Sequence, residues 1–279
     1  MKKISRRSFL AAAGLSVAAL ALTACGGSSA STASSVASSA ASSEAASTSA
    51  AAGELATVEA GKLTMATNAA FPPYEMTTDA GEFEGIDIET AQAIADKLGL
   101  ELQIDDMDFD AALLSVQQGK ADIVMAGVTV TDERKAVMDF SDSYATGIQS
   151  IIVPEGSDIA SPDDLAGKKI GTQRGTTGYI YCSDDFGDDA VVAYDNGLTA
   201  VQALNNGQVD AVVIDNAPAK EYVAANPGLA ILDTSYAEED YAIGMAKGSS
   251  LEDAVNAALK ELKADGTLQS IVDKYITAE

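Results

Sequence analysis

The hydrophobic positions after about Lys62 follow two periods in turn, near two in short runs and near 3.6 in longer ones. Apolar side chains three or four residues apart predict a helix over Asp87–Leu98, and Gly99 suits the left-handed position after it. Strands that alternate with helices in this way are typical of an α/β protein. The first half predicts strands at Lys62–Thr67, Leu100–Ile104 and Ala121–Val130, and helices at Asp87–Leu98 and Phe109–Gln117.

The second half of the chain has the same alternation. Asp210–Ile214 is a nearly continuous apolar run, which is expected for a strand buried on both faces of a parallel sheet. Residues 116–126 match residues 204–214, and each segment has a Gly and then an Asp before an apolar strand. A duplication and the ordinary form of an αβ junction explain this match equally well. The other predicted elements are a strand at Lys169–Thr172 and helices beginning at Thr176–Tyr181, Thr199–Leu204, Leu251–Ala264 and Thr267–Tyr275.

Residues 1–24 have the form of an export signal, with a basic start and an apolar run too short to cross a bilayer comfortably. Ser5–Leu10 resembles the twin-arginine export motif, and an ordinary secretory signal is the alternative. Leu22–Cys25 resembles a bacterial lipobox, so we expect a lipid on Cys25. The Ser- and Ala-rich residues 25–58 are predicted to tether this lipid to the folded chain.

Composition excludes several classes of protein. The 279 residues include no His, which rules out a Ser-His-Asp triad, a Cys-His pair and a His-based zinc site. Two Cys residues cannot form a disulfide framework or a four-Cys metal site, and we expect no metal and no cofactor. With a lipid on Cys25, Cys182 is a lone thiol and is expected to be a small buried apolar residue.

The chain is strongly acidic, with 17 Lys and Arg against 42 Asp and Glu and a formal net charge of −25. The signal carries four of the cations and none of the acids, so its removal leaves 13 cations against 42 acids, a charge of −29. A charge of this sign argues against a nucleic-acid partner. The hydrophobic fraction of 47% is ample for a packed core, so the acidity does not indicate a disordered chain.

Four positions follow the predicted strands closely. Asn68, Thr129, Gly175 and Asp215 each lie at or just after the carboxyl end of a strand, where parallel α/β sheets gather their ligands. These positions meet in one cleft if two lobes face each other. Asp215 has two possible roles at this point, since its carboxylate can bind a ligand ammonium or cap the next helix.

Arg134 lies where a helix favours an acidic or amide residue. Thr131 is a predicted N-cap, and the third position after it is the usual place of Glu or Gln in a capping box. A cation there opposes the helix dipole. The guanidinium of Arg134 either pairs with Asp132 or another surface acid, or it is held for the carboxylate of a ligand in a bidentate pair.

Two further segments point to a binding site. Residues 175–178, Gly-Thr-Thr-Gly, follow a strand and open a helix, so their free N–H groups form an anion-binding corner. They lack the Gly-Lys-Ser/Thr sequence of a phosphate loop. Residues 71–74, Phe-Pro-Pro-Tyr, are stiffened by proline, and their aromatic rings either join the core or form the wall of an apolar pocket.

Taken together, these features resemble the amino-acid-binding solute receptors of bacterial ABC importers, the polar amino-acid class known as family 3. The resemblance covers about Lys62–Ile276, nearly all of the predicted folded part. The motifs that carry it are Phe71–Glu75, Gly85–Glu89, Phe109–Asp110, Gly119–Asp122, Ala126–Arg134, Phe140–Tyr144, Asp164–Lys168, Gly175–Thr177, Gly207–Ala211 and Asp265–Gly266.

This resemblance implies a two-lobed α/β clamp of the type II periplasmic-binding-protein class, with two crossover strands at the hinge. It places lobe 1 at residues 59–147 plus 242–279 and lobe 2 at residues 148–241. The crossings are expected near Ala145–Ile148 and Glu239–Ile243.

The resemblance also implies how the α-amino-acid group is held. An Arg matching Arg134 grips the α-carboxylate, with help from backbone N–H groups that match Thr129 and Thr177. The α-ammonium meets a carboxylate matching Asp215, the hydroxyl of Thr129 and the carbonyl of Gly127.

The side chain of the ligand is less well defined. Aromatic rings matching Phe71 and Phe109 are expected to sandwich it. The position of Asn68 often carries an acid in family members for cationic amino acids, so the neutral amide favours a neutral polar ligand. Three charged residues near the expected pocket could reverse this preference, namely Glu75, Asp105 and Arg174.

The expected function is capture of an amino acid outside the cytoplasm and its delivery to an ABC permease, through closure of the lobes on the ligand. The expected location is the outer face of the cytoplasmic membrane, anchored by the lipid on Cys25, and the expected state is a monomer. One alternative is an enzyme similar to cyclohexadienyl dehydratase, with Glu75 or Asp215 as its acid or base. Another is a receptor that signals to a membrane partner.

Overall fold

The computed structural model describes residues 55–276. The predicted export signal, Cys25 and most of the predicted tether therefore lie outside the described residues.

The strands are β1 (Lys62–Thr67), β2 (Ala70–Phe71), β3 (Glu75–Thr77), β4 (Phe83–Glu84), β5 (Glu101–Asp106), β6 (Ile123–Val124), β7 (Met138–Phe140), β8 (Ala145–Pro154), β9 (Ile170–Gln173), β10 (Val191–Tyr194), β11 (Ala211–Asp215), β12 (Leu229–Ile231), β13 (Ala237–Tyr241) and β14 (Gly244–Ala246). The helices are α1 (Ile86–Leu98), α2 (Phe109–Gln117), α3 (Asp132–Val137), α4 (Thr177–Phe186), α5 (Gly197–Asn205), α6 (Asn216–Ala225), α7 (Glu252–Ala264) and α8 (Thr267–Tyr275), with short 3₁₀ turns at Pro162–Leu165 and Asp188–Ala190.

Each lobe is built on its own sheet. The first sheet has the order β5-β1-β6-β14-β7. Strands β2, β3 and β4 form a separate small sheet and lie between β1 and α1 in the sequence. The second sheet has the order β10-β9-β11-β8-β12, with β13 also paired to β8. Helices alternate with these strands, so the predicted two-lobed α/β fold is confirmed.

The chain crosses between the lobes twice. It leaves the first sheet through β8 and returns through β13, and these strands pair antiparallel from Ala145 with Tyr241 to Gln149 with Ala237. The two crossing strands therefore form one antiparallel ribbon. The start of β8 and the end of β13 adjoin the first lobe. They lie where the sequence predicted the crossings.

The matching segments of the two halves form the same junction. Gly119 and Gly207 adopt positive φ values of 65° and 67° just after α2 and α5. Asp122 then accepts a hydrogen bond from the N–H of Thr64 at 2.8 Å, and Asp210 accepts one from the N–H of Lys169 at 2.7 Å. The aspartate of each repeat therefore joins a helix end to the neighbouring first strand of its lobe.

Two predicted strands differ from those observed. The run Ala121–Val130 forms only the two-residue strand β6, because Gly127 turns at a φ of 55° and its N–H bonds to a carboxylate outside the sheet. The chain then continues as a loop beside the cleft. Strand β11 is fully buried as expected, but it is parallel only to β9 and runs antiparallel to β8.

The first described residues already contact lobe 1. Leu55 packs against the core, and the N–H of Val58 donates to the Asp122 carboxylate at 2.7 Å. Cys182 is fully buried among apolar side chains of lobe 2, as its predicted role requires. Within residues 55–276, no helix combines the length and the apolar character needed to cross a membrane.

Candidate functional site

A cavity of about 430 Å³, including the part that opens to solvent, lies between the two lobes. The eight predicted ligand-binding residues all lie in its lining: Asn68, Phe71, Phe109, Gly127, Thr129, Arg134, Thr177 and Asp215. The structure thus brings these eight positions together around one cavity, although only the predicted topology and the family resemblance had connected them.

Arg134 is buried and reaches across the cleft. Its backbone N–H donates to the Thr131 side chain, so Thr131 is the N-cap of α3 as predicted. The guanidinium donates to the carbonyl of Thr129 at 2.7 Å and to the carbonyl of Gly175 in lobe 2 at 3.1 Å. It lies 5.4 Å from the centre of the Phe109 ring. No ion pair forms between Arg134 and an acid of the described segment, so the surface-pairing alternative is wrong.

This arrangement leaves the guanidinium able to bind an anion. A guanidinium has five N–H donors, and two of them bond to these carbonyls. Burial lowers the pKa of Arg134, and the nearby Glu239 carboxylate opposes that shift. Arginine stays charged in proteins, so the remaining donors can meet a carboxylate in the cavity.

The amino end of α4 faces the same cavity. Thr176 caps this helix by accepting the N–H of Tyr179, and Thr177 is its buried first residue. The first N–H groups of a helix have no partner inside the helix, and the dipole favours negative charge there. The hydroxyl oxygens of Thr177 and Thr129 lie 3.4 Å apart, one from each lobe.

Asp215 performs the capping role and keeps a free acceptor site. One carboxylate oxygen accepts the N–H of Ala217 at 2.9 Å, which caps α6, and the other accepts the N–H of Ile148 at 2.7 Å. The Tyr241 hydroxyl is a third partner, and a carboxylate has about four lone-pair sites, so roughly one remains. Burial raises the pKa of Asp215 to about 6, although the two N–H donors and the Tyr241 hydroxyl oppose the rise.

Glu75 is the second acid in the lining and differs from Asp215 in its partners. It is completely buried on β3, and neither carboxylate oxygen has a hydrogen-bond donor among the described residues. Burial raises its pKa well above the usual range, and the charge of the adjacent Asp87 adds to the rise. Asp87 itself accepts the N–H of Gly127 at 3.0 Å, which fixes the loop that follows β6.

Only some of the other side chains expected near the pocket line the cavity. Asn68 lines the cavity, but its amide oxygen accepts a hydrogen bond from Gln173 of lobe 2 at 2.9 Å. Asp105 and Arg174 do not line the cavity, which corrects the expectation for both. Arg174 follows Gln173, and alternation turns it outward to lie 3.7 Å from Asp195.

Three residues of the site escaped the sequence interpretation. Gln149 and Gln173 line the cavity from β8 and β9, and Glu239 bonds to two lining residues from β13. Each is a polar residue at an inward position of a strand. Buried and exposed positions alternate along Ala237–Tyr241, and Glu239 is at the third, inward position. An acidic residue at an inward position of a strand is the feature of the sequence that could have identified Glu239.

Comparison with known proteins identifies relatives of the whole described chain. The model of the bacterial extracellular solute-binding proteins, family 3, matches residues 63–278. The probable histidine-binding protein of Neisseria gonorrhoeae is 33% identical over 96% of this chain and 95% of its own length. This family is extracellular, which agrees with an exported chain.

Solved structures show the same fold. The arginine-, lysine-, histidine-binding protein ArtJ of Geobacillus stearothermophilus superimposes with a TM-score of 0.75 at 35% identity, covering 78% of this chain and 96% of that one. An ancestral arginine-binding protein bound to glutamine gives a TM-score of 0.75 at 42% identity, covering 79% of this chain and 100% of that one.

These relatives are binding proteins, and they do not support the dehydratase alternative. They confirm the prediction of an amino-acid receptor that serves an ABC importer. The chain therefore belongs to the bacterial extracellular solute-binding proteins of family 3.

Proposed function

We propose that this protein binds an amino acid with a cationic side chain in the cavity between its lobes and delivers it to the permease of an ABC importer. The observation that carries the proposal is Glu75. It is a completely buried carboxylate in the cavity lining, and its oxygens have no donor among residues 55–276. A buried carboxylate requires either a cation or a proton.

The charges of the lining support this assignment. The charged residues of the lining are Glu75, Arg134 and Asp215. In the proposed complex Arg134 pairs with the α-carboxylate and Asp215 with the α-ammonium, and Glu75 is left with one negative charge. A cationic side chain neutralises that charge, so the charges of the ligand and of these three lining residues sum to zero.

A neutral polar ligand such as glutamine is the second candidate. The raised pKa of Glu75 allows a protonated carboxyl, which can donate a hydrogen bond to an amide oxygen. The glutamine bound in the ancestral arginine-binding relative favours this candidate. The neutral Asn68 is compatible with either ligand, because its oxygen already accepts the Gln173 amide.

Contacts between the lobes explain how a ligand favours closure. Hydrogen bonds join Arg134 to Gly175 and Gln173 to Asn68 beside the proposed ligand position. A ligand held by Arg134 in lobe 1 and by α4 and Asp215 in lobe 2 touches both lobes only when they are closed. Its binding free energy therefore shifts the population toward the closed form, which the permease receives.

Calorimetry with L-arginine and L-citrulline tests the proposed ligand class. The two have the same length, but citrulline carries a neutral urea in place of the guanidinium. We expect arginine to bind at least about 30-fold more tightly, since losing one partner of a buried charge pair costs roughly 2–5 kcal/mol. Glu75→Gln should remove this preference, and the exposed Glu82→Gln should keep it. Equal affinities in the unmodified protein would favour the neutral ligand.

Delivery is tested by uptake. Cells that lack the chain should lose accumulation of labelled arginine and regain it with the unmodified protein. Normal uptake in its absence, together with retained arginine binding, would favour the signalling receptor instead.

We further propose a lipid anchor on Cys25 and a monomeric folded part. The segment Leu22–Cys25 and the Ser- and Ala-rich residues after it support the anchor. Cys25→Ser should release the protein from membranes once its signal is removed, and continued membrane association would contradict the anchor. Light scattering of residues 55–279 checks the monomer.

A further inference from the structure

Glu239 occupies the hinge ribbon next to the proposed ligand site. It lies on β13, is 6% exposed, and sits between two exposed neighbours, Glu238 and Asp240. One oxygen of its carboxylate accepts two hydrogen bonds, from the Thr129 hydroxyl at 3.0 Å and from the Gln149 amide at 3.0 Å. Both donors line the cavity, and Thr129 belongs to lobe 1 whereas Gln149 lies on β8.

The bond to Thr129 fixes the direction of a hydroxyl hydrogen. A hydroxyl has one donor hydrogen and two acceptor lone pairs. An ionised carboxylate only accepts, so the hydrogen of Thr129 points to Glu239. The Thr177 hydroxyl, 3.4 Å away, then donates to one lone pair of the same oxygen, and the other lone pair is available on the side of the cavity.

The bond to Gln149 fixes the direction of an amide in the same way. Its nitrogen donates to Glu239, so its oxygen points away from the carboxylate. This oxygen lies over the first turn of α4, since a Cβ added to Gly178 would be 2.9 Å from it. Gln149 is also the strand partner of Asp215 across β8 and β11.

We propose that Glu239 is a positioning residue that turns Thr129 and Gln149 into acceptors for the α-ammonium of the ligand. This rests on the proposed function, because it needs an amino acid whose α-ammonium lies near Thr129 and Asp215. An ammonium has three N–H donors and no acceptor. With Glu239 in place it meets the carboxylate of Asp215, the oxygen of Thr129 and the amide oxygen of Gln149.

The role requires an acceptor oxygen at position 239. Both donors bond to the same oxygen of Glu239, and its other oxygen has no donor among the described residues. A glutamine could therefore keep both bonds through its amide oxygen, with its NH₂ group at the unpartnered position. Methionine has a similar length and no such oxygen, so Glu239→Met removes the acceptor that sets both directions.

The test is calorimetry of L-arginine binding to the full folded chain and to Glu239→Met. We expect an affinity loss of about tenfold or more, which is the scale of a hydrogen bond to a charged group. Glu238→Met, the same change at the exposed neighbouring position, should leave the affinity within about twofold. An unchanged affinity in Glu239→Met would overturn the positioning role.

A second measurement separates positioning from a general structural effect. In a Thr129→Val background one of the two groups that Glu239 orients is gone. Adding Glu239→Met there should cost clearly less than in the unmodified protein, because coupled residues are not additive. An equal loss in both backgrounds would show that Glu239 acts without Thr129 and would overturn the proposal.

Folding is checked by circular dichroism and the thermal midpoint. Should Glu239→Met fail to fold, Gln149→Met removes one proposed acceptor and leaves Glu239 unchanged. It should weaken arginine binding by about threefold or more, and an unchanged affinity would contradict the role of Gln149. Absence of binding to the unmodified protein would instead refute the proposed function itself.

Discussion

The hydroxyl of Tyr222 donates a 2.7 Å hydrogen bond to the carbonyl oxygen of Ala70. This bond joins α6 of lobe 2 to β2 of lobe 1, and the ring of Tyr222 is 6% exposed. Neither residue lines the cavity, whereas Phe71, the next residue after Ala70, does. The two lobes are thus held together at a point outside the cavity lining.

Removing the Tyr222 hydroxyl should weaken ligand binding without changing ligand preference. Tyr222→Phe deletes one interlobe hydrogen bond, worth roughly 0.5–1.5 kcal/mol, and so favours the open form. We expect calorimetry to show an affinity loss of about 3- to 10-fold for arginine and citrulline alike. Tyr236→Phe is the matched control, because its 2.6 Å bond to Asp185 lies within lobe 2. A change in the preference between the ligands would contradict this account.

Arg134 should not tolerate lysine. Arg134→Lys keeps the positive charge but loses the planar fork that holds Thr129, Gly175 and the ligand carboxylate together. We expect at least about tenfold weaker arginine binding, and a loss of roughly 2–5 kcal/mol for Arg134→Ala. Arg174→Lys, a half-exposed position outside the cavity, should bind normally. Unchanged affinity in Arg134→Ala would show that the proposed pocket is wrong.

Affinity should fall in acid because Asp215 must be ionised to bind an ammonium. Its pKa of about 6 predicts a loss approaching tenfold per pH unit below pH 6. The raised pKa of Glu75, the proposed partner of the cationic side chain, adds to the loss of arginine affinity as the pH falls. Calorimetry between pH 5 and 8 measures this. Asp215→Asn should bind weakly and with a much flatter pH profile, and a profile unchanged from that of the native protein would contradict the role of Asp215.

The same group should affect folding in the opposite direction. Burial holds the pKa of Asp215 above its ordinary value of 3.8, so the folded state binds the proton more tightly than the unfolded chain does. The stabilisation from this proton is present at low pH and disappears as the pH rises through about 6. The free energy of unfolding of Asp215→Asn, relative to the native protein, should therefore decrease between pH 7 and pH 4. An increase would contradict the sign of the shift.

Gly85 and Gly99 should differ strongly in their tolerance of alanine. Both have positive φ values, 130° and 70°, and they flank α1. A Cβ at Gly85 would collide with the carbonyl oxygen of Tyr74, whereas one at Gly99 would meet no atom within 4 Å. We expect Gly99→Ala to cost about 1 kcal/mol and Gly85→Ala at least about 2 kcal/mol. Denaturant unfolding measures both, and equal costs would show that the contact with Tyr74 relaxes freely.

The sequence alone was sufficient wherever a local period or cap decides the structure. The spacing of apolar residues in α1, α2 and α8 specifies helices within one residue of those observed. The polar residues after the strands indicated one cleft, because parallel strands end at a common edge. Thr131 and Asp215 were recognisable as caps because a helix start needs an acceptor side chain nearby.

Tertiary structure decided what depends on residues distant in the chain. The two roles of Asp215 were left open by the sequence, and only the packing of β8 beside β11 shows that its carboxylate also holds the Ile148 N–H. The partners of Arg134 come from its own loop and from lobe 2, 41 residues away. The strand expected through Gly127 ends early because Asp87, 40 residues earlier, accepts its N–H.

The acids of the cavity show this division most clearly. Composition gives 42 acidic residues without indicating which of them are buried. Glu75 and Glu239 belong to the few buried acids, because β3 and β13 carry them into the interior, where water cannot screen their charge. Desolvation and the direction of hydrogen bonds depend on three-dimensional surroundings, so these features of the site could be identified only in the folded chain.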